Sequence, residues 1–272
     1  MMDTMDELQS HEREYVKEIN EKARILFEEG RYVEAIEYCD KIIQIMPDRW
    51  TALRFKGNAL SGLEKYPESL ECYNKAIKLM PDEPELFFGK GYALGELNRH
   101  NEAIECYDEI IKLRPNSEAA EIAINNKACG LSEMHRYEES LECSIMINKI
   151  RPKYNMGFVN KGSALENLGR HEEAITAYDE AIRLKPNHGH ALHLKGRLLL
   201  RCNRYEEAIE CLDLIINRYD EEEEGSGEKK YRDSISRQDY RVAFINKGYA
   251  LSRLNRHEEA EQCRNEAERI RI

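Results

Sequence analysis

The chain has 272 residues, 41% hydrophobic and 34% charged, with a formal net charge of -11. That composition supplies apolar surface for packed helices but no run long enough to cross a bilayer, and the acidic balance argues against nucleic acid and anionic membranes as partners. The N-terminus, MMDTMDELQS, lacks the basic and apolar regions of a secretory signal, so the cytoplasm is the expected compartment.

At the start of the chain, Thr4-Met5-Asp6-Glu7 fits a capping box, and residues 1–15 read as a helical extension, with a frayed acidic tail up to about Tyr15 as the alternative, ahead of a series of similar segments. The segments fall near 16–49, 50–83, 84–117, 121–154, 155–188, 189–220 and 241–272. A small residue in the first helix of each sets the register: Ala23, Gly57, Gly91, Ala128, Gly162, Gly196 and Gly248, in steps of 34, 34, 37, 34, 34 and 52. Lys precedes every one of them. The second helices align on Ala35, Ser69, Ala103, Ser140, Ala174, Ala208 and Ala260, and Pro47, Pro81, Pro115, Pro152 and Pro186 close five segments.

Within a segment, Gly30, Asn98, Gly169 and Asn203 stand where the first helix ends and tolerate a left-handed conformation there. Arg or Lys comes next, and the column after it holds Tyr32, Tyr66, Tyr137 and Tyr205 or His100, His171 and His257, which read as packing residues at the start of the second helix. Ile36, Leu70, Ile104, Leu141, Ile175 and Ile209 then form an apolar stripe for stacking.

The 37-residue step adds three residues around 116–123, where a softer joint is expected between segments one to three and four to seven. The 52-residue step leaves 18 extra residues, with Glu221 to Glu224 and Gly225-Ser226-Gly227, which read as a solvated loop over 221–240. In the last helix, Glu261, Arg264 and Glu268 replace mostly apolar or small residues, so its outer face is expected to meet water and to end the array. Of the eight cysteines, Cys72, Cys106, Cys143, Cys211 and Cys263 share one column and read as reduced, buried hydrophobes.

The unit is clearest at 158–186, FVNKGSALENLGRHEEAITAYDEAIRLKP. Phe158, Gly162, Leu165, Ala174, Tyr178, Ala181 and Pro186 follow the spacing W-x2-L-G-x2-Y…A-x3-F…P, with Phe for Trp, Lys161 for the first Leu and Leu165 for the first Tyr. The unit resembles the tetratricopeptide repeat, or TPR, and its style is similar to archaeal and bacterial arrays. The resemblance implies an all-α, right-handed α-solenoid of seven helix-turn-helix repeats. It also implies a non-enzymatic protein-interaction scaffold, in which first helices line a concave groove for a peptide or partner segment.

Carried onto this sequence, the family's groove positions are Arg54 and Asn58, then Glu85, Phe88, Tyr92 and Glu96, then Asn125, Ser132 and Glu133. Farther along they are Met156, Val159, Ser163, Glu166 and Asn167, then His190, His193, Arg197 and Arg201, then Val242, Ile245, Tyr249, Ser252 and Arg253. The implied groove has an aromatic and acidic middle and a basic C-terminal end. There Arg197, Arg201 and Arg253 are placed to receive carboxylates of an acidic partner, while Phe88, Tyr92 and Tyr249 supply contact area. The family's carboxylate-clamp subtype is not matched, because Gly89 and Ile122 stand where clamp residues belong.

No catalytic constellation emerges, and no cofactor is expected. Gly89-Lys90-Gly91 through Gly95 is GxGxxxG without a preceding strand, and no P-loop, nucleophile elbow or metalloprotease helix occurs. His188, His190 and His193 form HxHxxH, with positions 190 and 193 on one helical face, so a metal-binding module is one alternative. Self-association through lateral surfaces is another, and the spacing leaves monomer and dimer both open.

Overall fold

The computed structural model describes residues 2–186, 189–224 and 236–270. Among the described residues there are fourteen α-helices and no strand. They are α1 (Met2–Glu28), α2 (Tyr32–Ile45), α3 (Trp50–Gly62), α4 (Tyr66–Leu79), α5 (Pro84–Glu96), α6 (His100–Leu113) and α7 (Glu118–Glu133). Then follow α8 (Tyr137–Ile150), α9 (Asn155–Asn167), α10 (His171–Leu184), α11 (Gly189–Arg201), α12 (Tyr205–Glu224), α13 (Arg237–Arg253) and α14 (His257–Arg269).

Each turn from an odd to an even helix is built alike. Gly30, Asn98, Gly169 and Asn203 take φ of 75°, 57°, 74° and 59°, and Glu64, His135 and Asn255 take 59°, 58° and 60° in the same column. Where the repeat then has Arg, that side chain grips the Glu three residues on, inside the first turn of the even helix. The pairs are Arg31–Glu34, Arg99–Glu102, Arg136–Glu139, Arg170–Glu173, Arg204–Glu207 and Arg256–Glu259, at 2.6–2.7 Å. A carboxylate there also faces the helix's unsatisfied N–H groups, which favour negative charge.

The chain divides into two compact units, Met1–Met134 and His135–Ile272. The division falls in the turn of the fourth repeat, not at 116–123. In that segment the extra residues lengthen α7 to 16 residues; the Ser117 hydroxyl accepts from the Ala120 amide at 3.1 Å, and Ala120 and Ala123 are buried.

Within each unit, helices adjacent in sequence pack together, and odd helices also meet: α1 with α3, α3 with α5 and α5 with α7 in the first, α9 with α11 and α11 with α13 in the second. Among the described residues no even helix touches another even helix. The odd helices therefore line the inner side of each stack, and this positions the expected groove residues.

Packing follows the small-residue column. Tyr73 and Tyr178 lie across Gly57 and Gly162, and a Cβ on Gly162 would stand 2.5 Å from the Tyr178 ring. The lysine before the small residue reaches back to the preceding even helix, as in Lys56–Asp40, Lys127–Asp108, Lys195–Asp179 and Lys247–Asp213 at 2.5–2.6 Å. Fully buried Ile42, Leu86 and Ile110 in the first unit, and Ile147, Leu165 and Leu198 in the second, each contribute about 1.5–3 kcal/mol of burial.

Cys72, Cys106, Cys211 and Cys263 are buried and Cys143 is half-buried. Burial pushes the Cys106 thiol up to about 11, away from thiolate chemistry. The stretch 221–240 differs from the expected loop: α12 runs on to Glu224 and α13 begins at Arg237. Tyr219 of α12 stacks on Tyr240 of α13 with centroids 4.1 Å apart, which ties the two lengthened helices together. Residues 225–235 lie outside the described residues. In α14, Glu261, Arg264 and Glu268 are exposed. No helix among the described residues is long and apolar enough to cross a membrane.

Candidate partner-binding face

In the first unit, the odd-helix face is carried mainly by α3 and α5. Arg54 pairs with Glu85 of the next repeat at 2.5 Å, and its guanidinium lies 4.8 Å from the Phe55 ring, so this arginine is held by its own chain. Asn58 accepts the Tyr73 hydroxyl at 2.6 Å. Phe88 is half-buried against the core cluster that includes Leu94, Ala103 and Tyr107, which turns much of its expected contact area to holding α5. Asn125 of α7 is likewise half-buried.

Tyr92 is different, at 53% exposure. It meets the edge of Tyr66 with centroids 6.3 Å apart and planes at 73°, and the Tyr66 hydroxyl donates to Glu96 at 3.5 Å. Burial, reinforced by the Glu96 charge, pushes the Tyr66 phenol up to about 12 and keeps it a donor.

The second unit is organised by Glu166 of α9. Its column holds Phe27, Ser61, Gly95, Ser132, Leu200 and Ser252 in the other repeats, all uncharged. Here a carboxylate stands at 5% exposure. Taking an ionised carboxylate out of water is costly unless donors replace the water, and three do so. The Arg201 guanidinium donates to Oε1 at 2.6 Å, that of Arg197 to the same oxygen at 3.3 Å, and the Tyr178 hydroxyl to Oε2 at 3.0 Å. One buried negative charge thus fixes two positive ones, and the cluster remains net positive. Arg197 and Arg201 keep 50% and 58% side-chain exposure, so further guanidinium donors face outward.

Two expectations on α9 are corrected. Val159 and Glu166 were expected to face the groove, but Val159 is 2% exposed in the core of the second unit and Glu166 is buried under the arginines. Glu166 is covered by the arginine side chains of α11, and Val159 is taken into the core cluster that α9 shares with its neighbours. Asn167 is exposed and its amide folds back to the Ser163 carbonyl at 2.8 Å.

On α11, His193 is half-buried and its Nδ1 has no hydrogen-bond partner among the described residues. Burial lowers the His193 imidazole below its ordinary range; Asp239 opposes this and Arg197 reinforces it. His190 is shifted the same way and for the same first cause. Among the described residues no group of three His, Cys, Asp or Glu side chains is placed to hold a metal ion, and His188 lies outside the described residues.

On α13, the Arg253 Nε donates to the Tyr205 hydroxyl at 3.1 Å and its guanidinium sits 5.7 Å from that ring's centroid. Tyr249, 52% exposed, meets the same ring edge-on at 6.4 Å. Sequence reasoning had assigned Tyr66 and Tyr205 to packing alone. The signal for more was present in the columns, since each precedes a repeat with tyrosine after its small residue, Tyr92 and Tyr249.

Helix pairs stacked in register, with polar and aromatic side chains set along the odd helices, define an all-α repeat solenoid. Family models described as Tetratricopeptide repeat match residues 84–117, 168–226 and 243–271, and one described as TPR repeat matches 57–98. The chain belongs to the tetratricopeptide repeat family. Arrays of this family are protein-interaction scaffolds.

Solved structures with a similar fold include a tetratricopeptide repeat protein from Parabacteroides merdae, 14% identical, covering 94% of this chain and 93% of that one at a TM-score of 0.68. YrrB, described as a TPR protein with an unusual peptide-binding site, is 23% identical over 65% of this chain and 90% of its own, at 0.56. PilW, described as a widely conserved type IV pilus biogenesis factor, is 15% identical over 75% and 94%, at 0.65. A search of curated proteins finds no match to the sequence.

Proposed function

We propose that this chain is a non-enzymatic, cytoplasmic interaction scaffold whose odd-helix face takes an extended or helical segment of a protein partner, and that the second unit prefers an acidic stretch. The observation that carries this reading is the Glu166 cluster. An array needs no charge in that column, as the other repeats show, yet here a buried carboxylate holds Arg197 and Arg201 in place with donors left over. Pre-set guanidiniums lose little freedom when a carboxylate arrives, which is the condition for useful affinity. Arg253 adds a third cation in the same unit. A peptide as the ligand class is further supported by the peptide-binding site described for YrrB.

The test selects random dodecapeptides on the immobilised full chain and measures each with the parent, Arg201→Gln and Arg253→Glu. These variants are chosen because Arg201→Gln leaves Glu166 its contacts with Arg197 and Tyr178. Selected peptides rich in Asp and Glu, weakened about fivefold or more by each variant, are the expected result. Selected peptides without acidic enrichment and indifferent to both substitutions would overturn it.

A further inference from the structure

Two places on the odd-helix face are built from the same three columns of the repeat. In the first unit they hold Tyr66, Tyr92 and Glu96, and in the second Tyr205, Tyr249 and Arg253. The first tyrosine opens an even helix, the second follows the glycine of the next odd helix, and the third residue comes one helical turn later. The ring geometry repeats as well: 6.3 Å and 73° in one, 6.4 Å and 73° in the other. At the other steps the second tyrosine is replaced by Asn58, Cys129, Ser163 or Arg197.

What differs is the charge in the third column. In the second unit the chain fills the notch itself, with the Arg253 guanidinium 5.7 Å from the Tyr205 ring and its Nε bonded to the hydroxyl at 3.1 Å. In the first unit the same column carries Glu96, which accepts the Tyr66 hydroxyl and, among the described residues, pairs with no cation. One unit therefore displays a guanidinium lying against the first tyrosine of this pair, Tyr205, and the other presents the same pair with a carboxylate in the column that carries the guanidinium.

We propose that Tyr66, Tyr92 and Glu96 form a docking point for an arginine side chain of a bound partner segment, a proposal that rests on the reading of the odd-helix face as partner-binding. The exposed Tyr92 ring offers a face to a planar cation and Glu96 offers paired acceptors to its N–H groups. Arginine fits better than lysine because its guanidinium is planar and weakly hydrated, and it stacks on rings while making two parallel hydrogen bonds. Packing alone does not require Glu96, since Tyr205 and Tyr249 adopt the same ring geometry without a carboxylate in that column.

The test is fluorescence polarisation of the full chain with a fluorescein-labelled Gly-Ser peptide carrying two arginines, and with its twin carrying citrulline, which keeps the shape and removes the charge. Thermal unfolding of each variant checks its fold. Expected is binding of the arginine peptide, weakened about threefold by citrulline, by Glu96→Gln and by Tyr92→Ala. Arg253→Glu, which recreates the first-unit pattern in the second unit, adds a further site of the same kind. Binding unchanged by both Glu96→Gln and Tyr92→Ala would reduce the attraction to the chain's overall acidity and overturn the proposal. Library-selected segments that bind the odd-helix face yet ignore these two substitutions would overturn this docking point alone. Arginine-peptide binding that depends on Glu96 and Tyr92, with no selected segment responding to Arg201 or Arg253, would support it and overturn the acidic-stretch reading.

Discussion

Gly162 shows how much can depend on one missing methyl group. A Cβ there would stand 2.5 Å from the ring of Tyr178, which is fully buried and whose hydroxyl holds Glu166. Gly162→Ala must displace that ring, and we expect it to cost about 1–3 kcal/mol. Gly196 occupies the same column, but its nearest neighbour is Leu212 at 3.6 Å, an ordinary contact. Gly196→Ala should therefore be neutral or gain up to about 1 kcal/mol from helix propensity. Denaturant unfolding of both variants decides the point, since equal losses would mean that the backbone, and not the tyrosine, fixes this column.

The odd-to-even turn is the element that recurs most faithfully, and it carries a visible strain. Glu64 adopts φ of 59° where Gly30 and Gly169 serve elsewhere, and a side chain costs free energy in that region. Replacing Glu64 with Gly is expected to raise stability by about 1 kcal/mol, read as a higher denaturant midpoint at unchanged slope. A lower midpoint would show that the Glu64 side chain does more than close the turn. These turns were legible in the sequence because Gly and Asn at a fixed spacing report a backbone demand. The placement of Arg197, Arg201, Tyr92 and Tyr249 on odd helices was legible for a similar reason, the period itself. The burial of Glu166 was not, because position along a helix does not reveal what the facing helix lays over it. Nor was the reach of Tyr66 and Tyr205, whose roles depend on a tyrosine one repeat later.

For the molecule as a whole, charge sets the response to pH. The net charge of -11 at pH 7 and a pI near 5.4 mean that self-repulsion weakens as pH falls from neutrality toward the pI. Lower still, the carboxyls of Glu34, Glu102, Glu173, Glu207 and Glu259 are held below the usual carboxylate range by hydrogen bonds from the arginines of their turns. A group with a depressed folded-state pKa contributes stability above its unfolded value, near 4.3 for Glu, and loses it as pH falls through the folded value. The thermal midpoint in low salt should accordingly rise between about pH 8 and pH 5.5 and fall steeply below about pH 4. Added salt should flatten the neutral arm by screening the repulsion, as a series of melting curves would show. A midpoint independent of pH between 8 and 5.5 would mean that the acidic surface does not strain the fold.

The Glu166 cluster also limits how such a chain can be rearranged by recombination. Most seams between repeats join parts that a neighbour of any ancestry supplies, an aliphatic side chain against alanine or a lysine against an aspartate, as in Lys56 against Asp40. The seam between the fifth and sixth repeats is asymmetric, with the carboxylate on one side and both arginines on the other. A duplication or deletion cut at that seam would strand a buried charge with Tyr178 as its remaining donor, a defect that elsewhere in the array no such cut creates among the described residues. Repeats five and six are therefore constrained to be inherited as one block, while repeats outside that block are freer to be exchanged.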